Sequence, residues 1–145
     1  MLESVTSVID EVRLLNNRLI ELVEDLHRDS GISASQRAVL EFIHRHGPAT
    51  VPTIARTRGV TRQHIQTISN ELRTLDLVEP QENPAHQRSP MITLTHNGQR
   101  TIEHIFQRER EHLAVNVSGL DDNQLRSAAQ TLADLRHALR METNT

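Results

Sequence analysis

The chain has 145 residues, no cysteine, and a net charge of −3 from 16 arginines against 19 acids. That length allows one domain with a core that needs no covalent staple. The missing thiols exclude disulfides, thiolate metal sites and cysteine-based redox sensing, and with Phe42 and Phe106 the only aromatics an aromatic platform for single-stranded nucleic acid is not expected.

From Val5 to Leu26, apolar residues at 5, 8, 12, 15, 19, 22 and 26 form a heptad seam over three heptads. Ile9, Leu14, Ile20 and Val23 lie off the seam, so this long helix is expected to bury more than one face. Gly31 closes the connection, and Ser33-Ala-Ser-Gln36 has capping-box spacing for a second helix through Val39, Leu40, Phe42 and Ile43. Gly47-Pro48 stops it. Thr50 then caps a short helix with Pro52 in its first turn and Ile54 and Ala55 as its apolar members. It ends at Arg58-Gly59.

Thr61 is the next N-cap. From there Ile65, Ile68, Leu72 and Leu75 mark a buried face, and Arg62, Gln63, Gln66, Thr67, Asn70 and Arg73 fall on the opposite one. A short helix, a glycine turn and a second helix with a polar outer face form a helix-turn-helix pattern. Residues 79–90 carry three prolines and little to bury, so no helix forms there. Met91–Thr95 alternates and suits a strand with Ile92 and Leu94 inward, giving a hairpin with a long tip. Thr95 caps a further helix carrying Ile102, Ile105, Phe106, Leu113 and Val117, broken by Gly119. Asp121–Gln124 starts a last amphipathic helix with Leu125, Ala128, Leu132, Leu135 and Leu139 on one face.

Charge is unevenly spread. Residues 49–100 hold six arginines and four acids, a local +2, whereas the rest of the chain is acidic. The order of elements, with the stretch from Gly31 to Pro80 followed by Arg88–Gln99, resembles the MarR family of bacterial transcriptional regulators. The Gly59-Val-Thr-Arg62 entry to the polar-faced helix and the Leu94-Thr-x-x-Gly98 closing pattern carry the likeness most specifically. The resemblance implies a mainly α fold with a small β-hairpin wing (α+β), a winged helix-turn-helix with terminal dimerisation helices. It further implies one domain over 1–145, with helical dimerisation regions at 1–30 and 100–145 and a DNA-binding region at 33–99.

The polar helix face fits that implication. Thr61, Arg62, Gln63, His64, Gln66 and Thr67 suit the major groove: arginine bonds guanine bidentately, glutamine pairs with adenine, and the threonine methyl meets thymine. Arg56, Arg58, Asn70 and Arg73 suit the DNA backbone. His86, Gln87 and Arg88 at the wing suit the minor groove, where negative potential favours an inserted guanidinium. Family wings commonly carry an acid just before the tip arginine, and here Asn83 and His86 stand where acids are usual.

The expected function is a sequence-specific regulator of transcription, a repressor of its own or a neighbouring operon. Its expected partners are a pseudo-palindromic duplex and a second copy of the chain. In the family a small, often anionic aromatic molecule binds between the dimer helices and the winged domain and relieves repression, and Arg18, Arg37 and Arg45 are the candidate ligand-pocket residues. A second reading of the same pattern is a homodimeric helical interaction module whose winged domain no longer binds DNA. No catalytic motif, cofactor or metal is expected: His104 and His112 stand eight apart, with Arg108 in the slot an i, i+4 ligand pair would need. The N-terminus is interrupted by acids and no apolar run nears the ~20 residues of a membrane span, so a cytoplasmic location without membrane contact is expected.

Overall fold

Local caps set the element boundaries in the computed structural model, which describes residues 1–140. Helix α1 (Leu2–Leu26) leads through a 3-10 turn (Arg28–Ser30) and a left-handed Gly31 to α2 (Ala34–His46). The capping box predicted there forms: Ser33 Oγ accepts from the Gln36 amide, and Gln36 Oε1 accepts from the Ser33 amide, both at 3.1 Å. Strand β1 (Ala49–Thr50) runs directly into α3 (Val51–Arg58), whose cap is Thr50. Gly59, at φ 67°, makes the tight turn to α4 (Arg62–Thr74), and Thr61 Oγ1 accepts from the His64 amide to start it. Strands β2 (Val78–Gln81) and β3 (Met91–Leu94), helix α5 (His96–Asn116) and helix α6 (Asp122–Ala138) complete the order.

The sheet has three strands in the order β1-β3-β2, all antiparallel. The sequence pattern predicts only the β2–β3 hairpin, because two residues are too few to show an alternation. Strand β1 exists through its partner, with Ala49 opposite Ile92 and Thr50 opposite Met91. Pro80 sits in β2, opposite Ile92. An edge strand tolerates it because its missing N–H faces away from the ladder.

The chain divides into two compact units, Met1–Glu109 and Arg110–Thr145, with the boundary inside α5. The first unit holds the core: Val39, Leu40 and Ile43 of α2, Ile54 and Ala55 of α3, Ile65, Ile68 and Leu72 of α4, and Ile102 and Ile105 of α5. Leu77, Val78 and Ile92 seal it from the sheet side. Leu75 departs from its expected place on the buried face. It is the C-cap of α4 and is exposed, because the helix ends one residue earlier and the chain turns away. Ser69 is buried in its stead on that helix, and Leu77 and Val78 take over the packing.

Helix α1 has no buried residue, and Val12, Leu15 and Leu19 of the seam are 41%, 54% and 45% exposed. In the second unit Asp121 caps α6 by accepting from the Gln124 amide, as the sequence pattern requires. Leu125 and Leu132 are exposed, Leu135 is half-buried, and Leu139 lies just past the helix as its C-cap. Among the described residues no helix is long and apolar enough to cross a membrane.

The Leu94-Thr-x-x-Gly98 pattern has a structural cause. Thr95 donates its amide to Leu77 O (3.1 Å) and its hydroxyl to Asp76 O (2.7 Å), while Thr95 Oγ1 accepts from the Gly98 amide (2.9 Å). Helix α5 thereby docks so closely that a Cβ on Gly98 would lie 1.9 Å from Leu77 O. That contact is backbone against backbone and cannot be relieved by a rotamer change. Gly98→Ala is expected to lower unfolding stability by about 3 kcal/mol, as overpacking of a rigid contact does. Urea unfolding at fixed protein concentration checks this, and a loss below ~0.5 kcal/mol would contradict the close approach.

Candidate nucleic-acid interface

Helix α4 packs its apolar face on α2 and α3, which turns the opposite face outward by geometry alone. Arg62, Gln63, His64, Gln66 and Thr67 are exposed over its first two turns, with Asn70 and Arg73 exposed further along. Gln66 donates to Asn70 Oδ1 at 3.0 Å, one helical turn apart, which fixes the relative orientation of these two amides. Thr61 is exposed, but its hydroxyl oxygen is engaged as the helix cap. Arg56 and Arg58 are exposed in the last turn of α3.

The loop between β2 and β3 closes a cleft of about 450 Å³ against α4. Arg62, Gln63, Gln66, Asn70 and Arg73 line it from the helix, and Arg88 lines it from the loop. Three guanidiniums and no carboxylate border it, and none of the three has an ion-pair partner among the described residues. Facing cations without counter-charges repel one another, so the cleft carries a positive potential suited to a polyanion. Ser69, Pro80 and Pro90 also line it; Ser69 does not stand out in the sequence, and the two prolines there signal only a break in helix.

Of the three wing residues expected to meet DNA, only Arg88 lines the α4 cleft. Gln87 borders a separate hollow with Glu82 and Asn83, and His86 is exposed in the loop turn. Asn83 shapes this loop: its Nδ2 donates to Ser89 O at 3.0 Å, and its Oδ1 accepts from the Ala85 amide at 3.2 Å. Backbone bonds from His86 to Asn83 O and from Ser89 to His86 O complete the turn. An amide thus braces the loop. The Asn-Pro signal for a turn was present in the sequence, but which carbonyl it would bind was not.

The arginines named as ligand-pocket candidates do not share one site. Arg18 is exposed on α1 and pairs with Glu21 of the same helix at 3.0 Å. Arg37 and Arg45 meet through a common partner, Glu41. Arg37 also binds Glu109 through two nitrogens, and its guanidinium lies 5.6 Å from the Phe106 ring centre. The hydrogen bonds that Arg37 donates to Glu109 outweigh its burial and raise its pKa. Glu109 Oε1 further lies 3.3 Å from Nε2 of His27, a residue with no exposed surface.

Burial pulls the His27 pKa below its ordinary 6.5, against the opposing pull of Glu109 and with help from Arg108 and Arg37. The neutral ring donates from Nε2 to Glu109, and its Nδ1 is a buried acceptor without a partner. Because the folded pKa is lowered, the unfolded chain binds the proton first as pH falls. The stability that neutral His27 contributes is present above about pH 6.5 and is lost progressively below it. Urea midpoints from pH 7.5 to 5 are expected to fall less steeply in His27→Gln than in the parent chain. Parallel curves would show that His27 does not govern this window.

The geometry of a polar helix beside an arginine-bearing wing can now be set against known proteins. A model of the MarR family matches residues 30–89. An uncharacterized protein of Mycobacterium tuberculosis is 32% identical over 142 residues, spanning 92% of this chain and 97% of that one.

This chain belongs to the MarR family.

A solved MarR family transcription regulator matches it with a TM-score of 0.81 at 26% identity, over 94% of this chain and 90% of that one. The fold is shared with Staphylococcus aureus MarR in complex with salicylate and kanamycin (TM-score 0.84, 17% identity, 97% and 95% covered). It is also shared with a mutant MarR from E. coli complexed with operator DNA (0.78, 18%, 93% and 97%). The chain therefore has the fold of a MarR transcriptional regulator.

Proposed function

We propose that this MarR protein is a sequence-specific, duplex-DNA-binding repressor that acts as a homodimer in the cytoplasm on its own or a neighbouring operon. The observation carrying the proposal is the carboxylate-free cleft between α4 and the wing, bordered by Arg62, Arg73 and Arg88. In this reading Arg62, Gln63, His64, Gln66 and Thr67, with the Thr61 end of the helix, meet base edges in the major groove. Arg56, Arg58, Asn70 and Arg73 meet phosphates, and Arg88 enters the minor groove with His86 and Gln87 beside it. The E. coli relative solved with operator DNA supports this use of the fold.

Dimerisation is supported by the middle of the α1 seam, where Val12, Leu15 and Leu19 are exposed. Two copies would present two α4 helices to half-sites about 34–36 Å apart, one turn of the duplex. The terminal regions 1–30 and 100–145 would supply the dimer contacts and 33–99 the DNA contacts. Release by a small ligand follows the S. aureus relative, which was solved with salicylate.

Three expectations test the proposal. A promoter-derived palindrome should bind more tightly than a random duplex of equal length. Its log affinity should fall with log salt at a slope of about −0.9 per phosphate neutralised. Negligible binding to both duplexes would favour instead an interaction module that has lost DNA. Arg62→Ala should cost about 1–3 kcal/mol on the cognate site and relax base preference at one position. Equal weakening on every duplex would make Arg62 a phosphate contact. For the dimer, Leu15→Glu is expected to shift sedimentation toward the monomer at micromolar concentration, and an unchanged dimer would place the interface elsewhere.

A further inference from the structure

The junction that docks α5 on Leu77 encloses a reactive pair. Asn97 is the only asparagine of the chain that precedes a glycine. Gly98 cannot be exchanged for a larger residue, because a Cβ there would lie 1.9 Å from Leu77 O. A residue without Cβ leaves its own nitrogen unshielded, and its backbone turns freely once the chain opens. In that state the Gly98 nitrogen, having passed its proton to solvent base, attacks Cγ of Asn97. A C–N bond closes a five-membered imide, the Cγ–Nδ2 bond breaks, and the amide leaves as ammonia with a proton from water. Water then opens the imide. Cleavage at Cγ leaves aspartate, whereas cleavage at the main-chain carbonyl leaves isoaspartate, whose backbone is longer by one atom.

The folded chain blocks the first step twice. Ring closure needs Cβ and the Gly98 nitrogen eclipsed across the Cα–C bond of Asn97. Asn97 lies in the first turn of α5, and helical ψ turns the two roughly 80° apart. The Gly98 amide is also engaged, donating to Thr95 Oγ1 at 2.9 Å. That hydroxyl is anchored in turn on Asp76 O at 2.7 Å, a carbonyl to which Asn97 Nδ2 also donates at 3.5 Å. Burial supplies neither restraint, since Asn97 is only half-buried. Both depend on one helix end, the part of a helix that opens most readily.

We propose that Asn97-Gly98 is a latched deamidation site, unreactive while Thr95 holds the Gly98 amide and converted irreversibly when the first turn of α5 opens. The isoaspartyl product does not close again. Its extra backbone atom sits between Thr95 and Gly98, so the cap and the approach to Leu77 O no longer fall in register. Because this junction orients the wing against α4, conversion disables the cleft. Regarding that as retirement of a repressor rests on the DNA-binding reading, but the conversion itself does not, and it is measured without DNA.

The test incubates the full chain in mildly alkaline buffer and follows amide-to-acid conversion and isoaspartate at each asparagine by peptide mass mapping. In guanidinium chloride Asn97 should convert at least tenfold faster than any other asparagine, and folding should slow it at least fiftyfold. Thr95→Ala opens the latch, and Thr50→Ala removes the cap of α3 instead. With urea added until these two variants have equal unfolding stability, Thr95→Ala should still convert about fivefold faster, the gain in open fraction that loss of a local cap brings. Thr95→Ser keeps the hydroxyl and should stay as slow as the parent. Circular dichroism confirms that the variants fold. Equal rates in the folded and denatured parent would overturn the proposal, as would equal rates in the two stability-matched alanine variants. The isoaspartyl form, separated chromatographically, should refold with a lower urea midpoint than Asn97→Asp, and equal midpoints would overturn the block to closing. Conversion as expected in a chain that fails the salt titration would overturn only the repressor reading.

Discussion

The contact between the backbone of Leu77 and the first turn of α5 holds the winged region together. It forms where three segments must meet at one point: the end of α4, the start of β2 and the end of β3. Thr95 closes that junction with a short set of hydrogen bonds, and Gly98 lets the backbones approach with no side chain between them. Asp76 turns the chain there at φ 57°, the one non-glycine residue with positive φ among those described. Such a conformation costs roughly 1–2 kcal/mol for most residues and less for Asp. Its carbonyl recovers part of this by accepting from Thr95. The orientation of the wing against α4, and hence the width of the arginine-lined cleft, depends on this junction.

A polar relay runs through the same unit. His27 meets Glu109, Glu109 binds Arg37, and Arg37 and Arg45 share Glu41. One residue along α2, Gln36 donates to Glu71 of α4 at 2.9 Å while its carbonyl closes the capping box. The end of α1, the middle of α5, α2 and the DNA-facing helix are therefore joined by hydrogen bonds between side chains that are partly withdrawn from water. Removing one member of such a set leaves its partner desolvated and unpaired, which costs more than the pair contributes while intact. The relay therefore favours one arrangement of these helices over close alternatives.

The total charge of −3 is a poor guide to the surface that matters. The carboxylates cluster largely outside residues 49–100, and many neutralise arginines of their own helix, as in Arg13–Asp10, Arg18–Glu21 and Arg126–Asp122. Among the described residues the arginines of the cleft have no such partner, so a chain that is acidic overall keeps a local positive field where a polyanion would approach.

Much of this was legible in the sequence because it is local. The caps at Ser33, Thr50, Thr61 and Asp121 are read from side chains that bind amides three residues on, and the polar face of α4 follows from a period of 3.6. The family resemblance extended that reading to the whole fold. Other features needed the folded chain. Strand β1 forms only because Ile92 comes beside Ala49, and Leu75 leaves the core because α4 ends a residue early. Arg37 looked free for a ligand, yet its carboxylate partner Glu109 is 72 positions away. Asn83 braces the wing by binding a carbonyl six residues on, and the bare Nδ1 of His27 appears only once its surroundings close. Spacing within a turn of helix is written in neighbouring residues, whereas pairings between distant segments leave no periodic trace. The sequence thus determined which surface faces outward from α4, and tertiary packing decided which charges remain free to use it.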